Sequence, residues 1–233
     1  MLIDGTALLL NALPIALLGA ILGLDMVSFP QIMIARPIVS ATAAGAFVGR
    51  PAAGLLIGVV LELIALETLP FGASRYAEWG TAGAVGGAVF AAQPVGVPGA
   101  LPVGMLAALA TAFCSSWSMV VVRKMNARIV RTYRCAIDAG SAEAVTNIQL
   151  QCMALDFLRG FLVTLVALLI FVPLGRLLVN RWTVDAVHAR AVVITVAATV
   201  AASAIWKIFH TTARAGWLFL VGLVGGGIWI ALQ

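Results

Sequence analysis

Polar positions are so sparse along this chain that they interrupt it rather than pattern it. Long apolar runs follow one another, and none shows the two-residue alternation over about ten positions that marks a membrane β-barrel strand. A helix needs roughly 20 apolar residues to cross a hydrocarbon core of about 30 Å. Residues 5–26 meet that length, with Pro14 as an expected kink, and 98–122, 155–179, 187–206 and 216–232 supply further predicted spans. The stretch between the first two is different. "RPIVSATAAGAFVGRP" offers only 13 residues from Pro37 to Gly49, about 20 Å of helix. "PAAGLLIGVVLELIALETLPFG" follows from Pro51 to Gly72, and then "GTAGAVGGAVFAAQPVGVPG", which is short, Gly-rich and closed by prolines. Apolar segments interrupted in this way predict broken or re-entrant helices. Such backbone survives at membrane depth only when buried in protein or lining a polar cavity.

The expected fold is therefore all-α: a polytopic transmembrane helical protein with broken or re-entrant helices in its N-terminal third. Six or seven crossings fit in 233 residues. We expect one membrane domain, with an N-terminal half at 1–122, a basic cytoplasmic loop at 123–154 and C-terminal spans at 155–233.

Composition agrees. The chain is 63% hydrophobic and 10% charged, with mean hydropathy +1.11, whereas a soluble domain is about half apolar and a quarter charged. The formal net charge of +5 is typical of a membrane protein with basic cytoplasmic loops. No cationic groove with interleaved aromatics is visible, so nucleic acid is not an expected partner. The expected solvent is the lipid bilayer. Cys114, Cys135 and Cys152 share no metal spacing and read as free thiols. The first apolar stretch follows Asp4 rather than a basic region, so it reads as a retained membrane element, not a cleaved signal.

Charge becomes informative where it is least welcome. Arg36, Glu62, Glu67, Arg75 and Glu78 all lie in or beside apolar segments, where a charge at a helix centre costs about 2.5–3.5 kcal/mol. Glu62 stands in mid-segment, between "LLIGVVL" and "LIAL". Either these groups pair, as Glu62 and Arg36 would in a purely structural role, or some face a polar site. Glu67 is five residues beyond Glu62, so the two do not share a helix face. Asp156 and Arg159, three apart, are spaced to pair on one face. Arg123, Lys124, Arg128, Arg131 and Arg134 follow a predicted span, which places this loop in the cytoplasm. Their spacing of three and four suits a surface helix, either as a topology anchor or as a docking face for a soluble partner.

Enzyme signatures are missing. There is no G-x-S-x-G, H-E-x-x-H or phosphate-binding loop, so no catalytic residue, metal or cofactor is expected. His188 and His210 lie near predicted membrane boundaries; either has the chemistry to accept a phosphoryl group or a proton, but as lone histidines they read as ordinary loop residues.

Two consecutive motifs carry a family resemblance. The first is "QIMIARPIVSATAAGAFVGRPAAGLLIG", Gln31 to Gly58; the second is "VVLELIALETLPFGASRYAEWGTAGAVGGAV", Val59 to Val89. In order and spacing they resemble the membrane component IIC of mannose/fructose/sorbose-type bacterial phosphotransferase systems. Gln31, Arg36, Pro37, Glu62, Gly72, Ala73 and Glu78 fall on the family pattern, and "LDFLRG" and "ARAGWLFLVG" look similar to its later segments.

The resemblance implies a sugar permease component without a phosphorylated residue of its own. It implies a IID-like membrane partner, soluble IIA and IIB phosphocarriers, an oligomeric complex and the bacterial cytoplasmic (inner) membrane. Carried onto this chain, the implied substrate-binding residues are Gln31, Arg36, Glu62, Gly72, Ala73 and Glu78, with Glu67, Arg75 and Trp79 as additional candidates. The turn "SRYAEWG" departs from the family's usual prolines. Its aromatics offer a stacking face for a sugar, and its arginine a partner for Glu78 or a phosphate. Two other readings stand beside this one: a non-transporting regulatory scaffold of an incomplete phosphotransferase system, and an ion- or proton-coupled carrier.

Overall fold

The computed structural model describes residues 5–66, 76–209 and 214–232, all as helices and connecting turns. Helix α1 spans Gly5–Val27, α2 Pro37–Phe47, α3 Pro51–Ala65 and α4 Trp79–Ala91. They are followed by α5 Ala100–Thr132, the single turn α6 Arg134–Asp138, α7 Ala142–Asn180, α8 Ala186–Phe209 and α9 Ala215–Ala231. Among the described residues α1, α5, α7 and α8 are long and apolar enough to cross a membrane. The shortness expected between Pro37 and Gly49 is real: α2 has 11 residues, about 16 Å of helix.

Two Arg-Pro pairs start the short helices. Pro37 and Pro51 occupy the first turns of α2 and α3, after Arg36 and Arg50. There the missing proline N–H costs nothing and the fixed φ suits the helix. Between them Gly49 takes φ +79, a left-handed turn that glycine enters without penalty, so α3 folds back along α2.

The hairpin α2–α3 packs on α4, and α4 on α5; α1 packs chiefly on α7. The contacts are backbone-close. A Cβ on Gly87 would lie 2.5 Å from the Ala41 carbonyl, and one on Gly83 2.0 Å from the Ser40 hydroxyl. A Cβ on Gly54 would lie 2.3 Å from the same Ala41 carbonyl. Lipid supplies no hydrophobic force between helices, so stability rests on this close approach and on polar contacts. The core falls into two clusters, one around Leu22, Val85, Val89 and Leu168, the other around Ile57, Leu61, Trp79 and Val193.

The helices run antiparallel end to end. Gly23 of α1 meets Arg159 of α7, whereas Asn11 and Ile15 share a cavity wall with Arg176 and Asn180. α5 and α7 are longer than the predicted spans. The basic segment does not form a separate surface helix but continues α5 to Thr132, and α7 begins at Ala142 rather than near residue 155. Intrahelical hydrogen bonding propagates past the apolar region because this polar sequence contains no helix breaker. α8 and α9 lie on the outside, with Val187, Val192, Trp217, Leu218 and Trp229 exposed, as side chains facing lipid would be.

Candidate functional site

Arg36 and Glu62 meet where the α2–α3 hairpin begins and ends. The Arg36 Nε donates to Glu62 Oε1 at 2.6 Å, and its Nη2 donates to the same oxygen. The other carboxylate oxygen accepts the Ile38 N–H at 3.2 Å. Glu62 thus serves α2 as a cap supplied from another helix, satisfying one of its orphan N-terminal donors. The pair forms because Gly58 lets α3 approach α2 closely; a Cβ there would be 3.0 Å from the Ile38 Cα. It is not sealed: the two side chains keep 30% and 22% of their surface. A charged pair that is oriented yet still accessible retains lone pairs and N–H groups for a ligand.

Glu78 belongs to a second, closed network. It is the N-cap of α4 and accepts from the Thr81 N–H at 3.2 Å and from the Thr81 hydroxyl. The Ser115 hydroxyl of α5 donates to it at 2.7 Å. Ser115 in turn accepts from Arg159 Nη1 of α7 at 3.0 Å. Arg159 lies 3.8 Å from Glu78 and 3.7 Å from Asp156, so the i,i+3 pairing expected within α7 is present. Asp156 accepts from the Ser28 hydroxyl at 2.7 Å. All three charged groups are at least 95% buried, where separated charges would be prohibitively expensive.

Sequence reasoning passed over Asp25. It is buried at the end of α1 and accepts the N–H groups of Ile32 and Ala35 at 2.7 and 2.9 Å. This clamp holds the loop between α1 and α2, in which Gln31 and Met33 take φ +59 and +67. Non-glycine residues reach that region only when their surroundings enforce it. Gln31, with Ile32 and Met33, is exposed on this loop. The available signal was an acid inside an apolar run, seven residues before Ile32. Ser115 and Arg50 were also passed over. Arg50 Nη1 donates to the Ala91 carbonyl at 2.8 Å and to the Gln93 carbonyl, fastening the hairpin turn to the C-terminus of α4.

Of the sequence-derived candidates, Arg36 and Glu62 are brought together, and Glu78 joins the neighbouring network. Trp79 is buried beside Leu61 and Ile64 rather than presented as a stacking face. Glu67, Gly72, Ala73, Arg75 and His210 lie outside the described residues. Lys124, Arg128, Arg131 and Arg134 are exposed along the end of α5 and α6. Arg123 is partly covered, its guanidinium 5.4 Å from the Tyr76 ring centroid, a cation–π distance. Cys114, Cys135 and Cys152 are free. Among the described residues no cluster of His, Cys, Asp or Glu is arranged to hold a metal ion.

Known proteins with this architecture exist. A solved structure described as a membrane protein superposes with a TM-score of 0.71 at 16% identity, covering 96% of this chain and 94% of that one. A cryo-EM structure of the mannose transporter ManYZ in complex with microcin E492 superposes with a TM-score of 0.62 at 17% identity, covering 94% and 86%. At these identities the likeness is one of fold. No curated protein matches the sequence. The family model for the "PTS system sorbose-specific iic component" matches residues 9–224. With nearly the whole sequence matched and the helical membrane fold in place, the chain belongs to the sorbose-specific IIC component family, the mannose-type sugar-transporting IIC components of the phosphotransferase system.

Proposed function

We propose that this chain is the sugar-specific permease component of a mannose-type phosphoenolpyruvate-dependent phosphotransferase system. It binds a hexose within the membrane and releases it to a phosphorylated IIB carrier on the cytoplasmic side. The observation that carries this reading is the accessible Arg36–Glu62 pair at the junction of two short helices. A carboxylate accepting from two sugar hydroxyls, with a guanidinium donor beside it, provides directed bonds of the strength that polyol recognition needs. Gln31, exposed on the neighbouring loop, is the third proposed contact, and the Gly72–Ala73 turn a fourth. Glu78, buried against Ser115 and Arg159, sets the position of α4 behind the site and reaches the sugar only if its network opens.

The phosphoryl group comes from the IIB carrier, itself charged by IIA, and a IID-like membrane subunit completes the translocating complex. The basic end of α5 is the proposed docking face for the carriers, in the cytoplasm by the positive-inside rule. The membrane is then the bacterial inner membrane.

The test is uptake of a labelled hexose panel in cells lacking their own mannose-type permease but expressing this chain with its genomic neighbours. Uptake of one or a few hexoses by wild type, reduced at least about tenfold by Glu62→Gln, is the expected result. No uptake of any hexose, with the protein present in the membrane, overturns the permease reading in favour of a regulatory scaffold.

A further inference from the structure

A cavity of about 1250 Å³ opens among α1, α4 and α7, at the end of the bundle opposite the basic segment of α5. It is separate from the Arg36–Glu62 pair. Its volume exceeds the roughly 300–1,000 Å³ of an ordinary small-molecule pocket, so a single hexose would leave most of it empty. Its walls are of two kinds. Leu10, Phe47 and Leu177 line it and are 67%, 58% and 53% exposed, so the apolar side opens outward from the bundle. Asn11, Arg50, Gln93, Arg176 and Asn180 form the polar part, and among the described residues no Asp or Glu lines it.

The charges are not equivalent. Arg50 is engaged with the carbonyls ending α4 and offsets the negative end of that helix dipole. Arg176 is exposed near the end of α7 and makes no ion pair among the described residues. Acceptors lie alongside. Asn11 and Asn180, both exposed, carry carboxamide oxygens on the same walls. Pro14, inside α1, withholds a helix donor from the Leu10 carbonyl. The cavity thus combines a cation, acceptors for hydroxyl donors and a long apolar wall. A phosphate bearing a hydroxylated headgroup, with its acyl chains along the leucine face, satisfies all three.

We propose that this cavity is a site for an anionic, hydroxyl-bearing phospholipid such as phosphatidylglycerol, with Arg176 holding the phosphate. The test uses the full chain purified in detergent, as wild type and Arg176→Gln, a change at an exposed position. Thermal unfolding is followed during titration with phosphatidylglycerol, phosphatidylcholine, inorganic phosphate or mannose. Native mass spectrometry counts retained lipid. Phosphatidylglycerol should raise the midpoint where phosphatidylcholine does not, and Arg176→Gln should weaken its apparent affinity roughly tenfold or more while leaving the lipid-free midpoint unchanged. A retained phosphatidylglycerol, depleted in the variant, is the matching mass-spectrometric result. Equal effects of the two lipids, or an unchanged response in the variant, overturn the proposal. So does inorganic phosphate reproducing the shift, which would make the ligand a soluble anion. An Arg176-dependent shift with mannose also overturns it and makes the cavity part of the sugar path.

Discussion

Arg159 and Glu62 carry opposite kinds of charge. Arg159 is buried between Glu78 and Asp156 at 3.8 and 3.7 Å, and its Nε and Nη2 have no hydrogen-bond partner. It is therefore held by ion pairing and by one bond to Ser115, and losing it leaves two buried carboxylates without their cation. Arg159→Met should destabilise the protein by about 3–5 kcal/mol, read as a large drop in the unfolding midpoint in detergent. A change within measurement error would mean that the network is not load-carrying. Glu62 sits in a pair that keeps a quarter or so of its surface. Glu62→Gln retains an oxygen for the Ile38 N–H and should cost no more than about 1 kcal/mol. If the variant loses uptake while keeping its midpoint, the role of Glu62 is in substrate handling; if both fall together, the pair is structural.

Elements are joined here by missing side chains. The α2–α4 contact depends on Gly87, whose Cβ would enter the Ala41 backbone at 2.5–2.9 Å. Backbone cannot rotate away as a side-chain tip can, so the helices must separate. Gly87→Ala should cost about 1–3 kcal/mol and reduce the folded fraction recovered from membranes. Gly226 in α9, with nothing within 4 Å of its Cβ position, supplies the control. Gly226→Ala should be neutral or slightly stabilising, because it replaces a poor helix former with the best one. Similar losses at both positions would refute the packing argument. In the sequence both glycines look alike, each within a Gly-Gly run; only the neighbours distinguish them.

For the whole molecule, orientation follows from the basic end of α5 and from α6. If these face the cytoplasm, Cys135, exposed in α6, lies inside. The loop carrying Gly96, which has φ +81 and open space around it, lies outside. In a variant with Cys114 and Cys152 changed to Ser, an impermeant maleimide should label Cys135 only after the cells are permeabilised. A Gly96→Cys substitution in a cysteine-free chain should label in intact cells. The reverse pattern would invert the topology and remove the proposed docking face from the carriers.

The sequence by itself determined the solvent, the class and the punctuation. Apolar length specifies what can span a membrane, and Gly/Pro-interrupted segments too short to span specify where the helices break. It also singled out Arg36, Glu62 and Glu78, because charge in an apolar run is costly enough to need a reason. Only the tertiary structure decided which charges meet. Arg36 reaches Glu62 across 26 positions, and Arg159 reaches Ser115 across 44. No local periodicity encodes such separations, since they depend on which helix faces pack. The structure likewise assigned Asp25 to a loop clamp and Arg50 to a helix end. In both cases the partner is a backbone group, which every residue possesses and no sequence displays.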